Sequence, residues 1–370
     1  MKQLFLSFVF VLLSATVVFS QSPNQNNADL MPLRGLSISA PSPAGVDKFV
    51  KFIDQELAPA HFNLLVLMVD YRYAYESHPE LRADHPLQKE DVKKITEVCK
   101  KHDIKIAPQL NMLGHQSWDK TLGKLLTVYP ELDETPHFDI QQFGTSWDWE
   151  DPDAWLYCKS YCPLHPKVHQ ILFPMIDELL EVFETDYFHA GLDEVTLIGS
   201  PQCPRCSGKD KAELFAGEIN AIHEHLKKRD TRLMIWGDRL IDQTMTGQHI
   251  SESSTFGTHR AISLIPKDIL ICDWHYGHAP LTPVYFAING FDVLVCPWNN
   301  ATVAMQQFDD MLLFRQRALP PMKQRFQGVL ATLWHGNESF LKAYYNEIDA
   351  PAGSKGEAET VKKLIERYKK

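Results

Sequence analysis

The chain has 370 residues, of which 44% are hydrophobic, and carries a formal net charge of −10 at pH 7. That is apolar material enough for a sizeable core, in one large domain or two ordinary ones. The acidic balance argues against nucleic acid as a partner, because a nucleic-acid footprint is basic and patchy.

The first segment, MKQLFLSFVFVLLSATVVFS, sets one Lys before an apolar run from Leu4 to Phe19, with the small residues Val18 and Ser20 near its end. This pattern predicts a secretory signal peptide over residues 1–20, cut near Ser20–Gln21, and an exported protein, periplasmic or extracellular. The other reading is an uncleaved membrane anchor. Residues 21–32 are polar and Pro-containing and predict a flexible lead-in. No later segment is apolar for long enough to span a bilayer, so no stable membrane insertion is expected after cleavage.

From there, short apolar runs alternate with helical stretches. The runs are 33–40, 62–70, 103–111, 187–195, 231–239, 268–276, 292–300 and 328–336. Most are almost continuously apolar, as strands covered on both faces are. Apolar residues at helical spacing predict helices over 89–101, 168–183, 211–228 and 303–317. The connection 240–267 shows no such period. Eight alternations predict an α/β fold, a (β/α)8 TIM barrel. It forms a single catalytic domain over 33–350, followed by a C-terminal helix over 351–370. A doubly wound sheet is the alternative, but the turn after the first run, APSPAGV, lacks the Gly-rich phosphate fingerprint.

Nearly every run ends in polar or aromatic residues: Asp70, Asn111, Asp193 with Glu194, Trp236 with Asp238, Trp274 with Tyr276, Trp298 with Asn300, and Trp334 with His335. In a barrel these ends meet at one rim, where such enzymes place their sites. The four tryptophans predict an aromatic-walled pocket. Aromatic faces pack on the apolar faces of sugar rings and carboxylates bind hydroxyls, so the expected ligand is an oligosaccharide or glycoconjugate. The long connection 112–166 holds Trp118, Trp147, Trp149, Trp155, Tyr157 and Tyr161 and reads as an ordered lid over the site. Among seven cysteines, Cys158 with Cys162 and Cys203 with Cys206 form two close pairs. Export favours disulfides, although the spacing also permits zinc. No cofactor is expected, and no strand end offers an H-x-H metal pair.

The run His189–Val195, HAGLDEV, resembles the H-x-G-x-D-E motif of family 20 glycoside hydrolases, the β-N-acetylhexosaminidases. The likeness extends over residues 33–345. Arg34-Gly35 resembles the family's RG, and Asp70 its acidic residue after strand two. Pro108–His115 resembles its P-E-I-D-x-P-G-H, with the His kept as His115. Trp236, Trp274 and Trp334 fall where the family places pocket tryptophans. The sequence also departs from the pattern. Gln109 and Asn111 replace a Glu and an Asp, Trp298-Asn299-Asn300 stands where the family has Tyr-x-Asp, and Glu338 comes two residues late for its W-x-E.

The resemblance implies removal of a terminal β-linked N-acetylhexosamine by substrate-assisted, retaining hydrolysis. In that scheme Asp193 orients the sugar's 2-acetamido group, whose oxygen attacks the anomeric carbon. Glu194 acts as general acid and then general base. Substrate contacts fall to Arg34, Asp70, His115, Trp236, Trp274, Tyr276, Trp298, Asn300 and Trp334, with Tyr276 replacing the missing Tyr donor. The lost acids at Gln109 and Asn111 motivate a second reading, a barrel that binds glycan without turnover. Retention of Asp193 and Glu194 favours the enzyme, because a lectin has no use for a general acid.

Overall fold

The strongest element is a parallel sheet closed on itself. In the computed structural model, which describes residues 31–118, 120–142 and 158–369, each of the eight apolar runs contains a strand. They are β1 (Leu33–Ser39), β2 (Leu64–Met68), β3 (Lys105–Met112), β4 (Tyr187–Gly191), β5 (Arg232–Trp236), β6 (Leu270–Trp274), β7 (Asp292–Cys296) and β8 (Phe326–Leu333). Neighbours pair in sequence order, and β1 pairs with β8 to close the barrel. The fold is a (β/α)8 TIM barrel. The predicted signal segment and most of the lead-in, with Trp147, Trp149, Trp155 and Tyr157, lie outside the described residues.

Side chains alternate along each strand and so feed two cores. Leu33, Val66, Met234, Leu270 and Leu294 fill the barrel interior, while Leu36, Leu65, Ile235, Ile271 and Val293 pack outward against the helices. Those helices are α1 (Val46–Phe52), α2 (Lys89–Lys101), α3 (Val168–Phe183), α4 (Lys211–Lys227), α5 (Thr282–Ile288), α6 (Ala301–Arg317), α7 (Asn337–Tyr344) and α8 (Gly353–Tyr368). Helix α4 starts where Asp210 Oδ1 accepts from the Ala212 and Glu213 N–H groups at 2.8 and 3.3 Å, a side-chain cap for otherwise orphaned donors. The connection without helical period, 240–267, holds only the short turns Gln243–Thr246 and Thr258–Ser263. Among the described residues no helix is long and apolar enough to cross a membrane.

Two features aim the strand ends. The β3–β4 register shifts between Gln109 and Met112. Then, past β2, β3 and β4, the backbone turns left-handed at Asp70 (φ 45°), Leu113 (62°), His115 (52°), Leu192 (69°) and Glu194 (51°). Non-glycine residues take this conformation rarely and at a cost of about 1–3 kcal/mol each, a pattern that concentrates at functional sites. The run 187–195 therefore stops being a strand at Gly191, and Asp193 and Glu194 sit on a sharp turn at the rim.

Candidate active site

The turn after β4 is wedged into its neighbours. A Cβ on Gly191, itself at φ +68°, would come within 2.4 Å of Asn111 Oδ1, and one on Gly114 within 2.6 Å of the Asp193 carbonyl oxygen. Glycine at both positions lets the ends of β3 and β4 close on each other. That contact sets His115, on the loop after β3, between the two carboxylates. Its Nε2 is 3.1 Å from Asp193 Oδ2 and 3.1 Å from Glu194 Oε2. It is within ion-pair reach of both but squarely aligned with neither. Its Nδ1 faces the Cys158 sulfur at 3.3 Å, and the Trp118 ring stacks on the imidazole at 5.8 Å.

These contacts fix the charges. Burial works against a charged imidazole, but the Asp193 carboxylate and the Cys158 sulfur together outweigh it and hold His115 well above its ordinary value. Burial likewise works against ionised Asp193, and His115 reverses this, leaving Asp193 below the usual carboxylate range. Asp193 is 8% exposed, so the centre contains a nearly dry carboxylate kept anionic by an imidazolium.

Two further groups support the pair. Asp238, at the end of β5, accepts from the Glu194 N–H at 2.9 Å, from Arg239 Nε at 2.6 Å and from Trp274 Nε1 at 3.1 Å. Burial pushes Asp238 up to about 6, against the pull of Arg239. Arg239 is fully buried and donates to the Ile250 and Ser251 carbonyls at 2.8 and 2.6 Å, tying the loop after β5 down. On the other flank Asp70 Oδ1 accepts from the Asn111 N–H at 2.9 Å, and Asn111 Oδ1 accepts from Gln109 Nε2 at 3.0 Å. An amide can donate where a carboxylate cannot. Carboxylates at both 109 and 111 would add two negative charges beside Asp70 and Asp193, so the amides relieve a crowded anionic corner.

The aromatic side chains form a continuous wall. Trp236 lies 5.8 Å from Trp334, whose Nε1 donates to Tyr276 Oη at 2.8 Å. Tyr276 in turn meets Trp274 at 5.0 Å and Trp298 at 5.2 Å. Trp236 is fully buried against His189, while Trp334 is 38% exposed. A buried carboxylate from α8 anchors the wall. Glu357 Oε1 accepts from Trp298 Nε1 and from the Trp334 N–H, both at 2.7 Å, and it also meets the His335 ring at 2.9 Å.

The structure thus gathers Asp193, Glu194, His115 and Asp70 on one side and Trp236, Trp274, Tyr276, Trp298 and Trp334 on the other. Two expected contacts fall elsewhere. Arg34 stands near the start of β1, at the barrel end opposite the rim, and donates to the His61 and Met31 carbonyls, both at 2.5 Å. Its position on the strand alternates with inward-facing Leu33, which turns it toward the helices. Asn300 caps α6, its Oδ1 accepting from the Thr302 and Val303 N–H groups at 3.1 and 3.3 Å. The expected disulfides are not formed in this structure, where all seven cysteines are unbridged: Cys158 turns to His115 while Cys162, Cys203 and Cys206 meet elsewhere. Glu338, the late acid, accepts from the Ser42 N–H at 2.7 Å and braces the loop after β1.

Sequence reasoning missed two supports. Asp238 was visible as a polar strand end, but nothing marked it as the residue that holds Glu194. Glu357 carried a faint signature: it falls on the buried stripe of α8 with Ser354, Val361, Leu364 and Tyr368, where an unpaired acid is costly.

A TIM barrel that collects carboxylates on one half of its rim and indoles on the other is built like the catalytic barrels of glycoside hydrolases. Residues 56–316 match the family model for the glycosyl hydrolase family 20 catalytic domain, and the chain belongs to that family. Among curated proteins it is 23% identical over 293 residues to a β-hexosaminidase 1 of Coccidioides posadasii, covering 72% of this chain and 43% of that protein. It is 23% identical over 212 residues to a lacto-N-biosidase of Bifidobacterium bifidum, covering 53% and 16%. Among solved structures, the chitobiase of Flavobacterium johnsoniae superposes with a TM-score of 0.60 at 19% identity, over 92% of this chain and 50% of that one. The chain therefore spans half the length or less of these three relatives.

Proposed function

We propose that this protein is an exported glycosidase that removes a terminal β-linked N-acetylhexosamine with the substrate's own acetamido group as nucleophile. The observation that carries this reading is the His115 imidazole held 3.1 Å from both Asp193 and Glu194. It keeps Asp193 anionic, as a partner for an acetamido N–H and for the positive charge of an oxazolinium must be. Glu194, on the same turn, gives a proton to the leaving oxygen and later takes one from water. Tyr276 is the candidate donor to the acetamido oxygen, and the indole wall is the surface for the sugar ring. Membership of family 20 and the names of these relatives support the substrate class. Those names differ in the sugar unit they release, which leaves the outer part of the substrate open. Export rests on residues 1–20 alone.

The test is a panel of chromogenic N-acetyl-β-hexosaminides beside the same β-hexosides without the acetamido group. The expected result is turnover confined to the acetamido sugars and tight inhibition by a thiazoline mimic of the cyclised intermediate, since such ligands exploit transition-state contacts. Trapping a 2-fluoro sugar covalently on Asp193 or Glu194 would overturn the mechanism. Tight binding of the sugars with no turnover of any would return the glycan-binding reading.

A further inference from the structure

Away from the carboxylate pair, three thiols and one carboxylate converge in the interior. Cys162 and Glu134 come from the long connection after β3, and Cys203 and Cys206 from the CPRC stretch after β4. One donor atom from each lies within 4.8 Å of all the others. Cys162 Sγ is 3.4 Å from Cys206 Sγ and 3.5 Å from Cys203 Sγ. None of the four residues is more than 3% exposed. Glu134 Oε1 accepts from the Ser200 N–H at 2.9 Å, and the buried carboxylate faces the Cys203 and Cys206 sulfurs.

We propose that Glu134, Cys162, Cys203 and Cys206 bind a structural zinc ion. Three sulfurs and one oxygen form the closed, four-ligand set that zinc takes in structural sites. Tetrahedral bonds of about 2.3 Å would put the sulfurs roughly 3.8 Å apart, a few tenths of an ångström from the separations here. A disulfide needs about 2.05 Å and could join only two of the three. It would leave the third sulfur and the Glu134 carboxylate outside the bond. Lys159 steadies the segment that presents Glu134, with Nζ 2.6 Å from Asp133 and 2.8 Å from the Thr135 carbonyl. With no open coordination position the ion would do no chemistry. It would clamp the loop carrying His115 and Cys158 to the loop that follows Asp193 and Glu194.

The experiment is metal analysis of the full chain purified without chelator or reductant, with thiol alkylation and intact-mass measurement alongside. The expected result is about one zinc per chain, the stoichiometry of a four-ligand site. Cys162, Cys203 and Cys206 should resist alkylation until a strong chelator is added, and zinc but not magnesium should restore the lost melting temperature. Cobalt substituted for zinc should show thiolate charge-transfer absorption, which Cys203→Ser weakens. Glu134→Gln keeps all three thiols and the side-chain shape, so it should lower zinc affinity while the protein still folds. A mass lower by two hydrogens with no metal would overturn the proposal in favour of a disulfide. Metal-free thiols that alkylate readily would overturn it in favour of a plain buried cluster. None of these readouts depends on glycosidase activity.

Discussion

The two halves of the rim are built in opposite ways. After β2, β3 and β4, small polar side chains are placed by backbone forced into the left-handed region at five non-glycine residues. After β5 to β8, large rings reach one another from ordinary backbone, and left-handed turns such as Gly336 (φ 86°) fall on glycine. The difference follows from size. A carboxylate has little reach, so the chain must bend to aim it, and surrounding groups must hold the bend. An indole spans the distance itself and needs only one hydrogen bond to fix its rotation. The polar half is therefore strained and the aromatic half anchored.

The sharpest way to break this comparison is to remove chemistry from the polar half while leaving the wall intact. Glu194→Gln is expected to lower kcat by about 10²–10⁴-fold, the usual worth of a positioned proton donor. Substrates with good leaving groups should lose less, because they need little protonation. Equal losses for good and poor leaving groups would show that Glu194 is not the acid.

Next in size is the support under the strained turn. Arg239→Met leaves Asp238 buried without its cation, which typically costs 3–5 kcal/mol when one partner of a buried pair is lost. Denaturant unfolding should show a fall of about that size. Restoring most of it with Asp238→Asn in the same chain would confirm the uncompensated charge as the cause. A fall under ~1 kcal/mol would mean that the pair is dispensable.

The aromatic half is expected to respond more gently. Glu357→Gln keeps the shape but weakens the bonds to Trp298, Trp334 and His335, and hydrogen bonds to charged groups are worth about 1.5–3 kcal/mol each at most. A loosened wall should raise KM for the sugar more than it lowers kcat, because binding along a ring face is shared by ground and transition states. A kcat loss as large as that of Glu194→Gln would erase the distinction between the halves.

The smallest effect is a slope against pH. His115 is raised in the fold above its ordinary 6.5, so its contribution to stability is complete below 6.5 and is lost as pH rises through the higher folded value. Asp193 is lowered below 3.8, so its contribution is complete above 3.8 and is lost as pH falls. The stability gap between wild type and His115→Gln should therefore be flat between about pH 4 and 6.5 and should narrow on the alkaline side. A gap that widens with pH would reverse the assignment of charge.

The comparison also explains what the sequence could reveal. The barrel was legible because each strand is a run of apolar residues between turn signals, and helices α2 and α3 carry a clean period from end to end. Asp193 and Glu194 were legible because an acidic pair at the end of such a run is anomalous. Arg34 and Asn300 lie away from the pocket for different reasons. Arg34 was placed there by its likeness to the family's RG, but it stands near the start of β1 and alternation turns it toward the helices. Asn300 was placed there as a polar strand end, but its side chain caps α6. Glu357 was hard to see because it reaches the wall from a helix more than twenty residues after Trp334. Cys158 illustrates the same limit: its neighbour in sequence is Cys162, but its neighbour in space is His115.

Glu357 also sets an order of events during synthesis. A ribosome delivers Asp193, Glu194 and every ring of the wall before it delivers the residue that fixes Trp298 and Trp334. Until α8 emerges and docks, the nascent barrel holds its acids in place beside unfixed indoles. A chain arrested before Gly353 is expected to show more mobile tryptophan fluorescence than the finished one. Fluorescence anisotropy of stalled and released chains would decide, and equal values would mean that the wall sets without its anchor.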